Sequence, residues 1–248
     1  MINAASLPIL LRQLRLGTMR STWETTAQDA EKAHWTYPQY LAALCAQEVA
    51  NRDQQRIQRS ITDAKLPIGK TLDTFVFDKL KSINAAQVTA FAENTYWIEQ
   101  ANNLIIFGPS GVGKTHLAAS IGRRLAEHGV RVFFTKTTAL VQKLQIAYKE
   151  HKLSELLSKL AKFQLLILDD IGYVKKSESE TSVLFELIAE RYESQSLLIT
   201  SNQSFDQWDT IFPNNIMAVA AIDRLVHHST IININESSYR RKAKVNGE

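Results

Sequence analysis

The chain has 248 residues, 45% of them hydrophobic, which supplies one large domain or a core domain with a small appendage and excludes disorder throughout. Lys and Arg outnumber Asp and Glu by 29 to 25, and the pI near 9.1 suits contact with a polyanion without identifying it. A single cysteine, Cys45, excludes an intramolecular disulfide; no apolar run reaches the roughly 18 residues of a membrane span; and MINAASLPILLRQLRLG lacks the cationic start of a signal peptide, so a cytoplasmic protein is expected.

Residues 1–65 contain no convincing strand and read as a small helical domain. Leu7, Leu10, Leu11 and Leu14 recur at helical spacing. A second helix starts where Thr36 and Gln39 form a capping-box pair around Pro38, and Tyr40, Leu41, Leu44, Val49 and Ile57 mark its apolar stripe. Arg52, Arg56 and Arg59 fall on one flank of that helix, either as a solvated face or as phosphate contacts. The Pro and Gly of LPIGKTLDTF set a boundary near residue 66, so residues 66–248 form the second domain.

Beyond that boundary the period changes. NLIIF, VRVFFT, QLLILDD, SLLITSN and TIININ alternate with longer amphipathic stretches, including a helix over about 114–128 closed by Gly129 and one opened by the Ser177 and Glu180 capping pair. Such alternation predicts an α/β domain with a parallel sheet covered by helices.

GPSGVGKT, residues 108–115, follows the strand NLIIF and opens a helix. Gly108, Gly111 and Gly113 free the backbone so that N–H groups around Pro109, Ser110 and Val112 converge on phosphate oxygens at a helix N-terminus. Lys114 would add charge at the β- and γ-phosphates, and the Thr115 hydroxyl would take a position on magnesium. LLILDDIGY then drives a buried-looking strand into two carboxylates. Asp169, at the carboxyl edge of a parallel strand, would be offset by the magnesium on ATP, while Asp170 would deprotonate the attacking water. Asn202, after SLLITS, is an amide able to hold that water or a γ-phosphate oxygen. Arg224 in AAIDRLVHHS reads either as an ion-pair partner of Asp223 or Glu236, or as an arginine finger for a neighbouring subunit's γ-phosphate. His227 and His228 are adjacent, which aims them apart on a helix, and no further His or Cys stands at metal-site spacing.

With those residues in place, the chain resembles the IstB-like family of transposition helper ATPases, of the AAA+ initiator and loader group with the DnaA and DnaC proteins. The resemblance runs from about residue 10 to residue 243 and rests on LAALCAQEVANRDQQRIQR, AKLPIGKTLDTFVF, GPSGVGKTHLAASIG, LLILDDIGY, LFELIAERYESQSLLITSNQSFDQW, AIDRLVHHS and SYRRK. It implies a five-stranded AAA+ sheet with helices on both faces, in which the strand ending at Asn202 lies between those preceding Gly108 and ending at Asp169. By motif position it implies that 108–116, His116 included, is Walker A, that Asp169 and Asp170 are Walker B, that Asn202 is sensor 1 and that Arg224 is the finger. Most AAA+ proteins carry Glu where this chain has Asp170, one methylene shorter, which points to slow hydrolysis.

The implied activity is an ATPase that oligomerises on duplex DNA, with ATP and Mg2+ at subunit interfaces, and recruits or activates a partner transposase, hydrolysis driving disassembly. A DnaC-like loader of a replicative helicase and a non-hydrolysing ATP-dependent DNA scaffold are the alternatives. Candidate DNA contacts are Lys136, Thr137 and Thr138 after the second strand, which the resemblance directs toward the inner wall of the oligomer, the Arg52, Arg56 and Arg59 trio, and the tail residues Arg240 and Arg241.

Overall fold

A computed structural model describes residues 4–77, 82–172, 177–210 and 215–236; Arg240 and Arg241 lie outside them. The chain divides into two compact units, Met1–Arg59 and Ser60–Glu248.

In the first unit, α1 (Leu7–Gln13), α2 (Gly17–Lys32) and the start of α3 (Tyr37–Asp63) enclose a small cluster of Leu11, Met19 and Leu44, edged by Leu7, Leu16, Trp23 and Tyr40. The expected capping box opens α3: Thr36 N donates to Gln39 Oε1 at 2.8 Å, and Gln39 N returns to Thr36 Oγ1. The buried stripe is narrower than its spacing suggests, since Leu41 and Val49 are 58% and 60% exposed while Leu44 is buried. Helix α2 was not expected, and its cap is not local. Thr18 N and Met19 N both donate to Glu48 Oε2, at 2.8 and 3.0 Å, so a carboxylate from α3 satisfies the first amides of α2 and offsets its dipole.

Helix α3 continues into the second unit, and the segment after it packs there. Phe134 N donates to Ala64 O at 2.8 Å, while Ile61, Leu66, Leu72 and Phe77 lie against the buried cluster on one side of the sheet. The division therefore falls inside α3, and the Pro–Gly segment belongs with the second unit rather than between the two.

Five parallel strands form the second unit's sheet: β1 (Asn103–Phe107), β2 (Val132–Lys136), β3 (Leu165–Asp169), β4 (Ser196–Ser201) and β5 (Ser229–Asn233), in the order β2-β3-β4-β1-β5. As the resemblance implied, β4 lies between β1 and β3. The central strands are continuous apolar runs because both faces are covered. Leu104, Ile106, Leu165, Ile167 and Leu198 pack toward α6 (Lys114–Glu127) with Leu117 and Ile121, and this layer also takes in α4 (Ala85–Glu93) and α5 (Tyr96–Glu99). Ile105, Leu166, Leu168, Leu197 and Ile199 pack on the other face against α7 (Thr137–Lys149), α8 (Leu153–Leu160), α9 (Glu178–Arg191) and α10 (Asn215–Val226). The Ser177 and Glu180 capping box opens α9 as expected.

At the end of α9, Arg191 is 1% exposed. Its guanidinium donates to the carbonyls of Leu160, Phe163, Gln164 and Ser196 and to Gln195 Oε1, stitching three chain segments beneath the sheet. Burial pushes it down to about 9. Among the described residues no helix is long and apolar enough to cross a membrane.

Candidate nucleotide site

The glycine-rich loop leaves β1 at the carboxyl edge of the sheet and enters α6 at Lys114. Gly108 has no room for a side chain: a Cβ there would lie 2.7 Å from Ile234 O and 2.9 Å from Ile234 Cβ. Gly113, the N-cap of α6, has φ 101°, a left-handed geometry that disfavours any other residue. Val112 turns its side chain into the core, which leaves its backbone to the loop. Lys114 is buried to 8% exposure, and its Nζ donates to Gly108 O at 2.8 Å and Pro109 O at 3.0 Å.

Asp169, the last residue of β3, is 5% exposed, and both of its carboxylate oxygens accept hydrogen bonds. Oδ2 accepts from Thr115 Oγ1 at 3.1 Å, and Oδ1 accepts from Thr200 Oγ1 at 2.8 Å. A hydroxyl and a carboxylate in contact at the mouth of a glycine loop are the hard oxygen donors that magnesium takes alongside phosphate oxygens, so these residues fit that ion. Asp170 follows with φ 64°, a conformation that Asp and Asn tolerate better than most residues, and its N–H donates to Thr200 Oγ1 at 2.8 Å.

β4 ends at Ser201, so Asn202 begins the turn beyond it and is exposed. That turn is fastened on both sides. Ser201 Oγ donates to Gln203 O at 2.7 Å, and the fully buried Trp208 donates to the same carbonyl at 3.2 Å while packing on Phe107 and Phe205. Gly108 N donates to Ser201 O at 3.2 Å, joining the loop to the Asn202 turn.

Several expected contacts take other places. The His116 side chain is engaged by the segment before the sheet, with Nε2 3.0 Å from Thr71 O and 3.1 Å from Thr74 Oγ1, and its ring meets the edge of Phe75. Thr137 is 1% exposed and donates to Asp169 O at 3.0 Å, so it is a tie between α7 and β3 and its hydroxyl is not available to DNA. Lys136 and Thr138 on either side of it are exposed. Arg52 is engaged within its own unit, with Glu48 at 2.9 Å and Arg15 O at 2.8 Å, whereas Arg56 is 71% exposed beside Asp53. Arg59 is also exposed. On α10, Arg224 Nη1 donates to Ala220 O at 3.1 Å, and its guanidinium lies 5.0 Å from the centre of the Phe185 ring. Glu236 accepts from Ser82 N at 2.6 Å.

His227 and His228 lie beyond the end of α10, where the turn brings their rings to 4.1 Å rather than aiming them apart. Glu193 joins them, and one ligand atom from each of the three lies within 4.8 Å of the others, all on exposed side chains at the opposite edge of the sheet from the loop. Thr200 is the residue of the site that sequence reasoning passed over. Its signal was a hydroxyl closing the apolar run Leu197–Ile199, directly before Ser201 and Asn202.

The chain is similar to known proteins along most of its length. The profile of the IstB-like ATP binding protein family matches residues 9–247. An insertion-sequence ATP-binding protein of Sinorhizobium fredii is 49% identical over 242 residues, covering 98% of this chain and 81% of that protein. The IS21 insertion-sequence ATP-binding protein of Pseudomonas aeruginosa is 36% identical over 238 residues, 96% of this chain and 89% of its own length. Among solved structures, the DnaC helicase loader superposes with a TM-score of 0.59 at 25% identity, covering 67% of this chain and 97% of the loader. DnaA from Aquifex aeolicus bound to AMPPCP superposes at 0.57 with 20% identity, covering 73% of this chain and 54% of that one, and so shares the fold. With a phosphate loop in the AAA+ strand order and a match over nearly its whole length, the chain belongs to the IstB-like ATP binding protein family.

Proposed function

We propose that this protein is an ATPase helper of an insertion sequence, which assembles on duplex DNA with ATP, recruits or activates a partner transposase, and leaves the DNA on hydrolysis. The observation that carries the ATP step is the Asp169 carboxylate, held between Thr115 at the head of α6 and Thr200 on β4, beside a glycine loop that admits no Cβ at Gly108. The name of the family and of its insertion-sequence relatives supports the wider role.

In this reading the loop amides and Lys114 bind the β- and γ-phosphates, and Asn202 holds the attacking water or a γ-phosphate oxygen. Thr115 and Asp169 would hold magnesium, which neutralises charge on the phosphates when bound. Asp170 takes a proton from the water as its oxygen bonds to the γ-phosphorus; the bond to the bridging oxygen breaks, and ADP leaves. Arg224, which rests on Phe185 and the Ala220 carbonyl within its own chain, is the residue assigned to a neighbouring subunit's γ-phosphate. Exposed apolar side chains in the first unit, Leu10, Leu14, Leu41 and Val49, support that unit as the one that engages the transposase or an adjacent subunit. Lys136, Thr138, Arg56 and Arg59 remain candidate phosphate contacts, with Arg240 and Arg241 as tail candidates.

Phosphate release, measured with and without duplex DNA and alongside the assembled mass, tests the reading. DNA-stimulated release with ATP-dependent assembly is expected. Assembly without release would establish an ATP-gated scaffold instead, and capture of a replicative helicase in place of a transposase would favour the loader role that the likeness to DnaC raises.

A further inference from the structure

Thr200 sits where the two adjacent strands put the same face together. One step beyond the parallel pair Leu168 and Ile199, Asp169 and Thr200 are neighbours, and each continues the row that packs toward α6, Ile167 on β3 and Leu198 on β4. An apolar side chain would complete that row. Thr200, found there, is 1% exposed, and its hydroxyl bonds in both senses: it donates to Asp169 Oδ1 and accepts from Asp170 N, both at 2.8 Å. A third bond, from Ile171 N to Thr200 O at 3.0 Å, holds the same three-residue turn along its length.

We propose that Thr200 is a positioning residue of the nucleotide site, which sets the two carboxylates through one oxygen. Resting on the ATPase reading above, it assigns Thr200 two tasks. By occupying Asp169 Oδ1, the hydroxyl turns Oδ2 toward Thr115, so that the carboxylate meets a metal ion already oriented. By receiving the amide of Asp170, it fixes the left-handed backbone from which the second carboxylate projects. Because Thr200 lies two residues before Asn202, movement of the amide turn would be felt at both acids through the same strand.

Thr200→Val keeps the β-branched shape and exchanges the hydroxyl for a methyl group, leaving a buried carboxylate oxygen and a part-buried amide each without that partner. Two readouts are needed. In equilibrium binding of a fluorescent ATP analogue titrated with Mg2+, the valine variant should need about 10-fold more magnesium for the same affinity gain, with metal-free affinity unchanged. In steady-state phosphate release at saturating magnesium, kcat should fall about 10- to 100-fold while KM moves less than about threefold. Thr200→Ser, which restores the oxygen, should return both to within about threefold of wild type. Unchanged magnesium dependence and kcat in Thr200→Val would overturn the assignment, as would a serine variant as impaired as valine, which would make the position one of packing. Thermal melting of both variants identifies any that fail to fold, in which case the serine variant alone decides. Wild-type protein that binds ATP with magnesium but releases no phosphate would sink the ATPase reading, while the magnesium titration still judges Thr200.

Discussion

The two units of this chain spend their buried charges differently. In the first, the cluster around Leu11, Met19 and Leu44 is small, and a carboxylate takes part in holding the helices: Glu48 closes the start of α2 and grips Arg52, which in turn reaches Arg15 O. In the second, two apolar layers on either side of a five-stranded sheet hold the fold, and the buried Lys114 and Asp169 are gathered at one edge of it. A charge in the first unit serves the fold; most of those in the second are available to a ligand. Removing a charge should therefore cost stability in one unit and function in the other.

Asp170→Asn carries the largest expected effect. Asparagine adopts the left-handed conformation of residue 170 at least as readily as aspartate, so the turn persists and only the proton acceptor is lost. Phosphate release should fall by about 100-fold or more, with ATP-bound assemblies persisting on DNA and the melting temperature unchanged. A variant that releases phosphate at the wild-type rate would remove Asp170 from the chemistry.

Arg191 is the exception within the second unit, a buried charge that serves the fold. Its guanidinium satisfies main-chain carbonyls from the end of α8, the turn before β3 and the start of β4. Arg191→Met should destabilise the second unit by about 3 kcal/mol, because those carbonyls stay buried when their donor goes. Chemical denaturation reads this directly, and a loss under about 1 kcal/mol would mean that the carbonyls find other donors.

Much of the second unit was legible in the sequence for a physical reason: strands buried on both faces have to be apolar throughout, and a phosphate loop needs its glycines in fixed places. The five strands, the capping box at Ser177 and the carboxylates after β3 all follow from such local demands. What was missed depends on partners distant in sequence. Helix α2 lacks a local cap because Glu48 supplies it. Leu41 and Val49 match a helical stripe yet stay exposed, since of that stripe the small cluster takes in Leu44 and the edge residue Tyr40. Thr137 looked like a surface residue beside Lys136, but the parallel register that pairs Lys136 with Asp169 brings its hydroxyl to the Asp169 carbonyl. The ring of His116 meets Thr71 and Thr74, partners that its place beside the phosphate loop in sequence does not disclose.

Glu48 gives the comparison its pH dependence. Burial acts most strongly on its carboxyl and pushes it up, but hydrogen bonds from Met19, Arg52 and Thr18 together outweigh that and leave it below its ordinary 4.5. A depressed carboxyl stabilises the fold above its unfolded value and loses that contribution as pH falls through the lower, folded one. The first unit should thus weaken below about pH 4.5. Glu48→Gln should cost it about 1–2 kcal/mol at neutral pH and flatten that acid limb, while the melting of the second unit stays put. Equal acid sensitivity in the variant would assign the limb to other carboxylates.

The smallest effect expected concerns the exposed edge of the second unit, where charge serves neither the fold nor the nucleotide. Lys136 ends β2 and is exposed, whereas its neighbour Thr137 is committed to Asp169 O. Lys136→Ala should leave stability and basal phosphate release unchanged, and weaken duplex binding evenly across sequences. If the ammonium meets one phosphate, the slope of log affinity against log salt should drop by about 0.9. Thr137→Val is the contrasting substitution: it should leave that slope unchanged and alter phosphate release, since its hydroxyl touches the strand that ends in the carboxylates. A salt slope that changes with Thr137 and not with Lys136 would reverse the assignment of the two neighbours.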